Sequence, residues 1–100
     1  MSSPSHRPDP IVRFAIEAFA APDILPRVLQ PFAKRGLVPT RSQSRVIGER
    51  LTILLELHGM ASDEARRIAA GLRQIIGIEA VVTAARAAPT NEVSPAEGAG

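Results

Sequence analysis

At 100 residues the chain is the size of one domain, and the absence of cysteine excludes disulfides, thiolate zinc sites and cysteine nucleophiles. Hydrophobic residues make up 45% of it, yet no apolar run reaches the roughly 18 residues needed to span a bilayer, and residues 1–10 lack the apolar stretch of a signal peptide, so the expected address is cytoplasmic. The net charge of +2 rests on twelve cations, eleven of them Arg, that alternate with acids instead of forming a block, which describes a mixed solvated surface rather than a polyanion-binding one.

Residues 1–10 hold Pro4, Pro8 and Pro10 among Ser, His and Asp, carry no apolar periodicity and read as a disordered leader. From Ile11 to Phe19 the residues Val12, Phe14, Ile16 and Ala18 alternate with Arg13, Ala15 and Glu17, the period-2 pattern of a strand with one buried face. The spacing then lengthens. Over Ile24 to Arg35, Leu25, Val28, Leu29, Phe32 and Ala33 fall on one helical stripe, with Asp23 as expected N-cap and Gly36 in the left-handed position after the last turn. Pro26 sits in the first turn without penalty, but Pro31 lies mid-helix and predicts a kink or broken turn between Arg27 and Pro31.

Leu37 to Ile47 is mostly polar and contains Pro39, which fits an edge strand. Gly48-Glu49 marks a tight turn. Beyond it Leu51, Ile53, Leu55 and Leu57 alternate with Thr52, Leu54, Glu56 and His58, a second half-buried strand. Ser62 is the expected cap of a second helix, with Asp63 and Glu64 in its first turn, Asp63 and Arg67 spaced for an outer ion pair, and an apolar stripe of Ala65, Ile68, Ala69, Leu72 and Ile76. Gly77 ends it, Ile78 to Ala84 form the last strand, and residues 85–100, rich in Ala, Pro, Gly and Glu, read as a disordered tail.

The order β-α-β-β-α-β over residues 11–84 is the ferredoxin-like sandwich, an α+β fold with a four-stranded antiparallel sheet and two helices on one face. The other face lies open. By parity it carries Arg13, Ala15, Glu17, Arg41, Gln43, Arg45, Thr52, Leu54 and Glu56, too polar for a core but dotted with small apolar residues. A domain this small buries only about 60% of its unfolded surface, so a homodimer is expected.

Converging catalytic groups are scarce. His58 stands at a strand end with no Ser or Cys placed as a nucleophile, His6 lies in the leader, and two distant histidines without cysteine make no transition-metal site. The loop Ala20-Ala21-Pro22-Asp23 lacks the Gly-rich sequence that cradles a phosphate. Neither an enzyme nor a cofactor is expected. The rival reading is a nucleic-acid-binding ferredoxin-like domain, but Phe14 and Phe32 point to the core by parity and Phe19 lies at a strand end, which removes the base-stacking platform.

Taken as a unit, residues 21–37 resemble the ACT domain. Leu25, Arg27 and Val28 match the Leu-x-Arg-Val form of that family's first helix, Lys34-Arg35-Gly36-Leu37 its ending, and Gly77-Ile78-Glu79-Ala80-Val81 its entry into the last strand. The likeness extends over residues 11–84 and is nearest to the small regulatory subunit of acetolactate synthase, in which a Pro-acid pair, here Pro22-Asp23, also precedes the helix. It implies a dimerising regulatory domain, an amino-acid ligand at the loop of Pro22, Asp23, Ile24 and Leu25, and the large catalytic subunit of acetolactate synthase as a partner. Where ligand-sensing members often place Gly, this chain has Asp23, whose carboxylate is expected to occupy the helix amides a ligand's carboxylate needs.

Overall fold

Six elements form in the expected order: β1 (Pro10–Phe19), α1 (Ile24–Lys34), β2 (Arg41–Ile47), β3 (Arg50–His58), α2 (Ser62–Leu72) and β4 (Ile78–Ala87). The structure, a computed structural model, describes residues 10–87; the expectations for residues 1–9 and 88–100 lie outside it. The strands pair antiparallel in the order β2-β3-β1-β4, and both helices contribute to the core on one side of the sheet, giving the ferredoxin-like βαββαβ sandwich.

Parity decides which side is covered. Val12, Phe14, Ile16 and Ala18 of β1 and Leu51, Ile53, Leu55 and Leu57 of β3 are buried beneath Ile24, Val28 and Phe32 of α1 and Ala65, Ile68, Ala69 and Leu72 of α2. Phe14 and Phe32 meet edge to face with ring centroids 5.1 Å apart, an arrangement that sets the positive edge of one ring against the negative face of the other. No polar or charged side chain is buried among the described residues.

Several local expectations are corrected. The inward stripe of α1 is Ile24, Val28 and Phe32 with Leu25 and Leu29 partly buried beside it, while Ala33 is exposed. The helix runs unbroken through Pro31. The carbonyl of Arg27 loses its amide there, but Arg27 is an exposed residue and water can serve it. A Schellman-type closure ends α1, with Gly36 at φ 70° and the Leu37 amide donating to the Phe32 carbonyl at 2.9 Å. β2 begins at Arg41, four residues later than expected, and Pro39 belongs to the connection before it.

In α2 the N-cap is Ala61, in extended conformation, and Ser62 is the first helical residue with no capping bond. Asp63 pairs with Arg66 rather than Arg67. The helix stops at Leu72, and the amides of Gln74 and Ile75 bond three residues back, to Gly71 and Leu72. That tighter winding brings Ile75 inward in place of Ile76, which is 93% exposed. β4 continues to Ala87, three residues past its expected end, because β1 pairs with it as far as Pro10.

Candidate docking face and ligand groove

The side of the sheet away from the helices, open among the described residues, is a grid whose rows follow from the register. Arg41, Glu56, Arg13 and Ala84 form one row across β2, β3, β1 and β4; Gln43, Leu54, Ala15 and Val82 the next; Arg45, Thr52, Glu17 and Ala80 a third; and Ile47, Arg50 and Phe19 a fourth, at the end where a bulge shifts β4. Polar and apolar rows alternate. Each residue placed on this face from parity alone is there, and each is exposed or half-buried.

Charges on the grid are largely paired within it. Arg13 donates to Glu56 Oε2 from Nε at 3.0 Å and from Nη2 at 2.5 Å. Arg50 Nη1 bridges Glu17 at 3.3 Å and Glu79 at 3.1 Å, and Thr52 Oγ1 donates to the other oxygen of Glu17 at 3.1 Å. Arg41 and Arg45, on the β2 edge, have no carboxylate within ion-pair distance among the described residues. β2 itself is exposed along its whole length, on both faces.

The second candidate is a groove of about 800 Å³ between α1 and the segment joining α2 to β4, lined in part by Phe19, Asp23, Ile24, Arg27, Lys34 and Ile76. Of the four residues expected to hold a ligand, Asp23 and Ile24 line it. Pro22 is exposed outside it, and Leu25 packs against the core.

Asp23 does not cap α1. Its backbone is helical, φ −91° and ψ −3°, whereas a capping residue is usually extended, and its carboxylate accepts instead from Arg27 Nε at 2.8 Å. The third helical position, one of the two amides a cap normally reaches, is Pro26 and has no N–H. Ile24 donates to the Ala21 carbonyl and Arg27 to the Asp23 carbonyl. Among the described residues, Leu25 therefore offers the one amide of the first turn that no carbonyl engages, and the end of this helix is a poor anion site for want of donors.

Other chemistry has little to build on. No group of three or more His, Cys, Asp or Glu could hold a metal ion among the described residues, and His58 is exposed at the end of β3. Of the aromatic rings, Phe14 and Phe32 are in the core and Phe19, 55% exposed, stands alone at the end of the open face. Among the described residues no helix is long and apolar enough to cross a membrane.

The fold is shared with solved structures. The ACT domain of a GTP pyrophosphokinase from Chlorobium tepidum superposes with a TM-score of 0.67 at 13% identity, covering 76% of this chain and 99% of that one. The C-terminal domain of the MgtC protein from Mycobacterium tuberculosis gives 0.64 at 15% identity, over 90% of this chain and all of that one. The regulatory subunit of aspartate kinase from Thermus thermophilus gives 0.58 at 21% identity, over 77% of this chain and 53% of that one. At such identities the likeness shows the fold alone. No curated protein matches the chain in sequence. A family model for the ACT-like domain, however, matches residues 6–90, a span that takes in all six elements together with the open face and the groove, so the chain belongs to the ACT-like domain family.

Proposed function

We propose that the chain is a non-catalytic regulatory or accessory module that pairs with itself and docks on a biosynthetic enzyme in the cytoplasm. The family match over residues 6–90 carries this reading. Two features support it: among the described residues, a sheet with one open, half-apolar face and no fully buried polar or charged residue. Strongly perturbed acids and bases, by contrast, are built by desolvation.

The enzyme we favour is acetolactate synthase, on the likeness of residues 21–37 to its small subunit. Addition of the purified chain to the isolated large subunit is expected to change its turnover or its inhibition by valine, leucine or isoleucine. No complex and no change in either would remove that partner.

A free amino acid is a secondary ligand at most, at the loop of Pro22, Asp23, Ile24 and Leu25. With the single free amide of Leu25 and the Asp23 carboxylate close by, calorimetric titration with branched-chain amino acids is expected to give affinities no tighter than about millimolar. Micromolar binding would show that the loop makes contacts beyond those of its backbone.

A further inference from the structure

Four charged or apolar rows on one flat face invite the question of what they fit, and the pattern is its own complement. We propose that two copies of this chain pack their open sheet faces together about a two-fold axis running parallel to the strands, midway between β3 and β1. The inference rests on the self-pairing read above and gives that pair a geometry.

Such an axis lays β3 of one copy over β1 of the other at the same height, so each row meets its own reverse. In the first row Glu56 lies over Arg13 of the second copy and Arg13 over its Glu56, which turns the ion pair within each chain into four alternating charges. One row along, Leu54 lies over Ala15 of the second copy, a large side chain facing a small one, and the two-fold repeats the fit. In the third row Thr52 meets Glu17 of the other copy. In the fourth, Arg50 lies over the strand position of Phe19. Aligned sheet packing rotates the two faces by about 30°, which least disturbs the positions around the point where the strands cross; a crossing centred between the first two rows keeps Leu54, Ala15, Glu56 and Arg13 opposed.

The alternatives that bring the β2 edges together are electrostatically worse. An axis across the strands stacks the β2 edges, so that Arg41 and Arg45 face the same two residues of the other copy. Pairing β2 edge to edge puts all four of these guanidinium groups, none with a carboxylate partner among the described residues, along one new ladder. Four strands about 4.8 Å apart by four rows about 6.8 Å apart give a footprint of about 500 Å² per copy, or about 1,000 Å² in all, below the roughly 1,200 Å² at which standard specific interfaces begin, so the dimer is weak and dissociates on dilution.

Sedimentation of the full chain from low to high micromolar concentration tests this with four variants whose folding is followed by circular dichroism. Ala15→Arg fills the seat of Leu54, and Glu56→Arg gathers four arginines at the axis. Each is expected to raise the dissociation constant at least about tenfold. Arg13→Glu combined with Glu56→Arg restores the alternation and most of the affinity, which also separates lost pairing from lost folding.

Ser44→Pro alters only the edge. Ala20 donates to Glu49 and Gly59 to Pro10, which fixes the parity of the β1–β3 ladder, turns the amide of Ile53 toward β1 and that of Ser44 outward. This variant is expected to dimerise like the wild type. Loss of the dimer in Ser44→Pro with retention in Ala15→Arg and Glu56→Arg would overturn the face-to-face geometry and leave self-pairing intact. A wild-type chain that stays monomeric throughout would overturn both.

Discussion

Asp23 shows how one neighbour changes the chemistry of a side chain. An acid before a helix is ordinarily an N-cap, but Pro26 withdraws one amide the cap would use, and the carboxylate turns to Arg27 one turn on. Both residues are plain in the sequence; what is not plain is which of two bonds wins when one donor is missing. The Asp23–Arg27 pair is well exposed, so Asp23→Ala is expected to cost no more than about 0.5 kcal/mol in urea unfolding, against about 1 kcal/mol for a true cap. Gly77 is the opposite case. Its φ of 101° and the 2.8 Å between an added Cβ and Ile24 Cδ1, a side chain buried in the core, penalise any other residue twice over. Gly77→Ala is expected to lower unfolding stability by about 2 kcal/mol.

Elements built on strict alternation were legible: β1 and β3 carry the core with every second residue, and their outward residues land on the open face as parity requires. Ends were less so. The close of α2 depends on a switch to bonds three residues back, which exchanges Ile75 for Ile76, and nothing in a run of two isoleucines distinguishes them. The end of β4 depends on how far its neighbour β1 extends, a fact of pairing rather than of local composition. Pro31 raises a thermodynamic question. The helix continues through it, so the proline costs a hydrogen bond without ending the element. Pro31→Ala is expected to raise stability by about 1–2 kcal/mol in the same unfolding assay, after allowance for the freer unfolded chain. A loss of stability would show that the ring of Pro31 packs better than its missing amide costs.

On the scale of the molecule, the buried apolar residues among those described lie between Ile11 and Val81, and a chain trimmed to residues 10–87 is expected to unfold within about 0.5 kcal/mol of the full chain. The candidate sites were unevenly readable. The open face follows from counting residues in twos. The groove could not be foreseen, because it depends on the turn after α2 meeting the start of α1, a contact between segments some fifty residues apart. What unites these features is a domain with a small core on one side of its sheet and, among the described residues, an open face on the other, for which we propose a function in pairing. Sedimentation equilibrium of the unmodified full-length chain tests that most directly: a reversible monomer–dimer exchange with a dissociation constant in the micromolar range is the predicted result, and a single monomeric species at every concentration would contradict it.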